Sequence, residues 1–140
     1  MNPGTILLDL DFHFSDGKTG KKFIVLLTDG SSGDYLAVKT TSQEKSKGRK
    51  HGCQINDRPP NYYLPDQSCG MTGETWVLLE EVYSLNLNEL FKKKISGTVS
   101  VKCNLSKDQI CDLIMCALDS EDIMQFHLDR LVATNDALRI

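Results

Sequence analysis

Short apolar segments recur through the first 103 residues, and polar turns that contain glycine separate several of them. In the first segment the even-numbered residues from Ile6 to Phe12 are all apolar, whereas Asp9 and Asp11 are predicted to face solvent on the other side. This period of two is typical of a half-buried β-strand. The predicted strands are residues 5–12, 22–28, 35–42, 75–85 and 96–103. Short strands joined by tight turns favour an antiparallel sheet.

The end of the chain has a helical pattern instead. Ser106 and Gln109 form the Ser-x-x-Gln sequence of a capping box, and Asp119-Ser120 has the composition of a second helix start. Strands followed by helices predict a protein that is mainly β, of the α+β class: a small antiparallel β-barrel with C-terminal helices. The residues predicted to share one helix face are Ile110, Leu113, Ile114, Ala117 and Leu118 in the first helix, and Ile123, Met124, His127, Leu128 and Leu131 in the second.

A chain of 140 residues has the length of one domain. We predict that residues 1–118 form the barrel domain and that residues 119–140 are a helical extension of it. Residues 43–75 interrupt the strand pattern, because they are polar and contain three of the four prolines. A loop of this length in a small domain is usually functional or disordered.

Charge is unevenly distributed along the chain, although the net charge is only −3. Residues 18–58 contain nine Lys or Arg and four Asp or Glu, a net of +5, whereas residues 108–140 contain two Arg and seven acids, a net of −5. A basic segment in an acidic protein suggests an anion-binding surface. The alternative interpretation is a lysine-rich loop that is simply solvated.

The five cysteines are an odd number, and the N-terminal residues lack the pattern of a secretion signal. Free or buried thiols in a reducing cytoplasm are therefore expected rather than a disulfide framework. His51, Cys53 and Cys69 lack the paired spacing of zinc ligands, so no metal or other cofactor is predicted. No apolar run approaches the length of a membrane-spanning helix, which predicts a cytoplasmic protein without membrane contact.

Four short motifs follow one another in a recognisable order. Pro3-Gly4-Thr5 opens the first strand, GKTGKK at residues 17–22 precedes the second, and VKTTSQ at residues 38–43 ends the third. ISGTVSV at residues 95–101 precedes the C-terminal helix. This order resembles the MazF/PemK family of toxins from type II toxin–antitoxin systems, over residues 3–118.

The resemblance implies an SH3-like barrel that forms a homodimer and cleaves single-stranded RNA, or mRNA, without a metal. The family's catalytic pair is an Arg in the Gly-x-x-Gly-x-Arg-Pro loop and a Thr at the end of the next strand. These positions correspond to Lys22 and Thr41 in this sequence. Lys22 departs from the family because it replaces the Arg, and Phe23 replaces the following Pro.

The resemblance also implies a cytoplasmic endoribonuclease with two partners, single-stranded RNA and a cognate antitoxin protein. A second hypothesis keeps the barrel without catalysis, because the same barrel shape occurs in gyrase-poisoning toxins of the CcdB kind and fold does not fix function. Such a barrel would bind a protein or a nucleic acid. The residues predicted to contact RNA are Lys18, Lys21, Ser42, Gln43, Lys45, Lys47 and Arg49.

Overall fold

A computed structural model describes residues 1–45, 47–120, 123 and 125–139 of the chain, with Phe126 described by its backbone alone. The strands are β1 Thr5–His13, β2 Thr19–Leu26, β3 Asp34–Thr41, β4 Gly52–Gln54, β5 Asn61–Leu64, β6 Thr75–Leu78, β7 Tyr83–Asn86 and β8 Val99–Asn104. The helices are α1 Leu87–Ile95, α2 Lys107–Leu118 and α3 Gln125–Leu138, with a short 3-10 turn at Ser68–Gly70. The predicted α+β class, mainly β, is confirmed.

The strands form one antiparallel sheet in the order β4-β5-β6-β3-β2-β1-β8. Strand β3 has two partners on the same edge, because β7 pairs with its first half and β6 pairs with Thr40 and Thr41. Among the described strands β4 and β8 are the two ends of this order, and the sheet is open. The closed barrel expected from the sequence is therefore not confirmed.

Apolar residues cover both faces of the sheet. Helices α2 and α3 lie on one face, where Val25, Val38 and Leu113 belong to the larger core. Helix α1 lies on part of the other face, where Ile24 and Leu90 belong to a smaller core. Because strands β2 and β3 have apolar side chains on both faces, their central residues form a continuous apolar run rather than an alternation.

The expected alternation of β1 is wrong in its second half. Asp9 is 2% exposed and Phe12 is 2% exposed, whereas Leu10 is 53% exposed. The pairing register with β2 shifts between Asp9 and Phe12, which is the signature of a β-bulge. The extra residue exchanges the two faces of the strand after Asp9, so Phe12 joins the smaller core together with Leu7. Asp9 precedes the bulge and is buried because it lies beneath α1, where Lys93 pairs with it.

The helix signals in the sequence are mostly confirmed. Ser106 caps α2, and the reciprocal hydrogen bonds of the capping box with Gln109 are present. Asn86 caps α1 with a single hydrogen bond, which its side-chain oxygen accepts from the Glu89 amide over 3.0 Å. Helix α3 begins at Gln125 rather than at Ser120, and Met124 of the predicted helix face lies outside the described residues.

Four of the five cysteines are paired, which corrects the expectation of free thiols. One disulfide joins Cys53 of β4 to Cys116 of α2, and the other joins Cys69 to Cys103 of β8. The partners are 63 and 34 residues apart in sequence, so only the packing of distant elements brings them together. Both strands at the ends of the sheet are thereby tied to the rest of the fold, and Cys111 keeps a free thiol.

The two cysteines of the rejected zinc motif, Cys53 and Cys69, belong to different disulfides. In the described part of the chain, no helix combines the length and apolar character needed to cross a membrane.

Candidate nucleic-acid interface

The pairing of β2 with β3 brings the two predicted catalytic residues together. Ile24 lies opposite Lys39, and the Thr40 Oγ1 hydroxyl donates a hydrogen bond to the Phe23 carbonyl over 2.9 Å. Continuing this register by two more pairs places Lys22 opposite Thr41, on the face that carries Ile24 and Lys39. Lys22 and Thr41 also line the same two adjoining clefts.

The first cleft has a volume of about 470 Å³ and lies beside the ends of β2 and β3. Lys21, Ser42 and Lys102 contribute polar groups to its wall along with the central pair. Among the described residues that line it, Glu74 is the one acid, and its carboxylate accepts hydrogen bonds from Arg49 over 2.6 Å and from the Tyr63 hydroxyl over 2.5 Å. Because Glu74 is already paired, the ammonium groups in this cleft remain available to an anionic ligand.

The second cleft has a volume of about 280 Å³ and is named here the lysine pocket. Its cationic residues are Lys22, Lys39, Lys45 and Lys47, and none of the described residues that line it is acidic. Positive side chains without counterions repel one another, so their convergence stores a positive potential that an anion would relieve.

Lys22 has an altered acidity in this environment. Partial burial removes water from its ammonium group and lowers its pKa below the usual value, and the nearby positive charge of Lys39 lowers the pKa further. A lysine with a lowered pKa has a larger neutral fraction near pH 7, so its amine is available as a base more often than that of an ordinary lysine.

Thr41 and Thr40 differ in what their hydroxyl groups can do. Thr40 is 4% exposed, and its hydroxyl proton is used in the bond to Phe23. The Thr41 Oγ1 atom accepts a hydrogen bond from the Gln43 amide over 3.2 Å, which leaves the hydroxyl proton free to be donated. The structure therefore favours Thr41 over Thr40 as a donor to a phosphate oxygen.

Of the seven residues predicted to contact RNA, five line one of the two clefts. Lys21 and Ser42 line the first cleft, and Gln43, Lys45 and Lys47 line the lysine pocket. Two residues line neither cleft. Lys18 is exposed in the turn before β2, and the Arg49 guanidinium forms ion pairs with Glu44 at 2.5 Å and Glu74 at 2.6 Å.

Sequence reasoning missed Lys39 and Lys102 as members of this surface. Lys39 precedes Thr41 by two residues on β3, so the strand period already placed both side chains on one face. Lys102 carried no comparable signal, because its strand β8 is far from β2 in sequence order and reaches the first cleft only through the fold.

The comparisons with known protein families and with curated proteins find no relative of this chain. No model of a known protein family matches the chain, and no curated protein matches its sequence.

Proposed function

We propose that this protein is a metal-independent endoribonuclease that cleaves single-stranded RNA in the cleft between Lys22 and Thr41. The observation that carries the proposal is the convergence of these two side chains on paired strands, at the wall of clefts rich in lysine. A cationic groove of this kind follows the phosphate backbone of a single strand. The proposal includes an SH3-like topology for the sheet.

The proposed reaction is an internal transfer of the phosphodiester bond. The neutral Lys22 amine takes the proton of the ribose 2′-hydroxyl, and the 2′-oxygen attacks phosphorus. The bond from phosphorus to the 5′-oxygen breaks, and the 5′-oxygen takes a proton from solvent. The products are a 2′,3′-cyclic phosphate and a free 5′-hydroxyl.

Two groups stabilise the negative charge that develops on the phosphate during this reaction. The Thr41 hydroxyl donates a hydrogen bond to a non-bridging oxygen, because among the described residues its proton has no acceptor. The Lys39 ammonium supplies a fixed positive charge on the same face, next to both members of the pair. Such preorganised donors act without rearranging as the charge appears.

The biological setting that we propose is that of a toxin in a type II toxin–antitoxin pair, which acts as a homodimer. The support is the motif order in residues 3–118 and the positive clefts, which suit an antitoxin with an acidic segment. Action in the cytoplasm stays a prediction, and it requires that both disulfides be reduced there. Disulfides are rare in a reducing cytoplasm, so the four paired cysteines would be held as thiols there.

A second candidate function is binding of single-stranded nucleic acid without cleavage. The observation in its favour is the chemistry of positions 22 and 23. A lysine lacks the two-pronged donor geometry of arginine toward phosphate, and Phe23 packs against the larger core instead of supplying the family's proline turn.

Cleavage of RNA by the purified protein in EDTA tests the proposal. The variants are Lys22→Met, which keeps the aliphatic stem, and Thr41→Val, which keeps the shape, with Lys94→Met on the exposed end of α1 as the control. Each cleft variant is expected to lose about 100-fold or more of the rate, as for one group in proton transfer or oxyanion stabilisation. The control should cleave like the parent protein.

The ends of the products decide between mechanisms. Cyclic phosphate ends that disappear with both cleft variants support the proposal. Binding of RNA by folded protein without any cleavage across a varied pool of RNA sequences contradicts it and supports the non-catalytic alternative.

A further inference from the structure

The lysine pocket differs from the first cleft in how its charges are held. The side chains of Lys39 and Lys47 lie against aromatic rings rather than against carboxylates. An aromatic face attracts an ammonium group without neutralising its charge and without using its N–H donors. These lysines are therefore held in place while their hydrogen-bonding capacity is left for a ligand.

Lys47 is the clearest example of a pocket lysine that lies against an aromatic ring. The residue is only 6% exposed, and its Nζ atom lies 5.8 Å from the centroid of the Trp76 ring. Among the described residues, no carboxylate lies within ion-pair distance of this ammonium group. The nearby acid Glu44 is paired with Arg49. Buried charges are normally paired, so a buried lysine without a counterion in a cleft points to an anion that completes the site.

Lys39 repeats this arrangement with two other aromatic rings of the protein. Its Nζ atom lies 5.8 Å from the centroid of Phe14 and 5.9 Å from that of Tyr83. Thr41 and Gln43 add uncharged polar groups to the lining of the pocket. The pocket thus combines four lysines with neutral hydrogen-bonding groups in about 280 Å³.

We infer that the lysine pocket binds a terminal phosphate group, the phosphomonoester at one end of a single-stranded nucleic acid. An internal phosphodiester carries one negative charge, whereas a monoester carries about −1.5 to −2 at pH 7 and offers three strong acceptor oxygens. A pocket with four lysines and no acid gains most from the more highly charged group. The inference deepens the proposed function, on which it rests for the choice of a nucleic-acid ligand.

Binding of single-stranded DNA separates this inference from cleavage, because DNA lacks the 2′-hydroxyl that the proposed reaction needs. The probes are three fluorescent oligonucleotides of one sequence, with a 5′-phosphate, a 3′-phosphate or no terminal phosphate. Fluorescence anisotropy of the full-length protein should show about tenfold tighter binding of a phosphorylated end, the effect of an added charge-assisted contact.

Two variants assign the preference to the pocket. Lys47→Met and Lys39→Met keep the aliphatic stems and remove the charges, and each should reduce the preference at least threefold, since one of the four ammonium groups is lost. Lys107→Met at the start of α2 removes an equal charge outside the pocket and should leave the preference unchanged. Because Lys47 is buried, thermal unfolding is followed as well, and Lys39→Met alone suffices if Lys47→Met does not fold.

The outcomes separate the two proposals. A terminal-phosphate preference without RNA cleavage supports the pocket and contradicts the nuclease, whereas RNA cleavage with equal affinity for all three probes does the reverse. Equal loss of the preference in Lys107→Met overturns the inference. Competition by inorganic phosphate as effective as that of the phosphorylated oligonucleotide would overturn the nucleic-acid ligand and assign the pocket to free phosphate.

Discussion

The two faces of the sheet are covered in different ways. On one face, α2 and α3 bury a core that extends from Ile6 to Leu131, and both disulfides lie with it through Cys53, Cys69, Cys103 and Cys116. On the other face, α1 covers the smaller core but leaves the ends of β2 and β3 open.

The difference shows which residues each kind of covering requires. The helix-covered face is made of apolar side chains and is joined by disulfides, and both features supply stability. At the part of the open face that α1 does not cover, Lys22, Lys39 and Thr41 have solvent-accessible polar groups. Ile24, on the same face, belongs to the smaller core beside them. A site built on paired strands holds its groups more rigidly than a site built on a loop. Changes on the first face should therefore alter stability, and changes at the part of the second face that α1 leaves open should alter binding and chemistry.

Removing the Cys53–Cys116 disulfide should have the largest effect and should act on stability alone. The double variant Cys53→Ala with Cys116→Ala frees a loop whose ends are 63 residues apart, which should lower the free energy of unfolding by about 3 kcal/mol. Urea denaturation measures the loss, and anisotropy measures oligonucleotide affinity on the same protein. Cys111→Ala, which removes the free thiol, is the control. A comparable loss of affinity would contradict the assignment of stability to one face and of binding to the other.

Asp9 tests how α1 is fastened to the open face. Its buried carboxylate lies 2.6 Å from the Lys93 Nζ atom of α1. Asp9→Asn should lower the free energy of unfolding by about 2 kcal/mol, because the substitution leaves the partly exposed ammonium without its counterion. Asp11→Asn, at a carboxylate 57% exposed, should cost almost nothing. Equal effects of the two variants in urea denaturation would mean that the Asp9 ion pair does not anchor the helix.

The pH dependence of RNA cleavage tests the chemistry of the open face. The neutral amine of Lys22 is the proposed base, so the rate should rise about tenfold per pH unit below the pKa of Lys22 and level off above it. Since burial and Lys39 lower this pKa, the plateau should begin below the pH at which an ordinary lysine titrates.

Lys22→Arg separates a base from a phosphate clamp. Arginine remains protonated, so the variant should bind RNA like the parent protein but lose the rise of the rate with pH and most of the activity. A more active Lys22→Arg variant would show that residue 22 acts as a positive phosphate clamp and would contradict its role as a base.

The sequence predicts local features of both faces better than long-range ones. The capping box of α2 depends on contacts within one turn, and its sequence motif is sufficient to predict it. Lys22 and Thr41 are singled out by the family resemblance rather than by periodicity, and the pairing of β2 with β3 gives their register. The β1 bulge escapes such reasoning, because a single extra residue reverses the faces without changing the composition.

The disulfides and the lysine pocket depend on packing instead. Cys69 and Cys103 meet because a turn after β5 reaches the opposite edge strand of the sheet. Lys47 is part of a polar segment whose composition is that of a solvated loop, yet its side chain is buried against Trp76. Neither contact has a periodic signal, since both join residues from distant elements.

The smallest predicted effect separates position from net charge on the open face. Lys45 lines the lysine pocket and Lys18 does not, but both belong to the basic segment of residues 18–58. Lys45→Gln should weaken binding of single-stranded nucleic acid about threefold at 0.1 M salt and reduce the salt dependence of binding by about 0.7 in the log–log slope, the value for one lost phosphate contact. Lys18→Gln should change neither quantity measurably. If both variants weaken binding equally, the segment acts through its total charge, and the lysine pocket loses its special status. A difference confined to Lys45 shows that the site is defined by the side chains that share a wall beside Thr41.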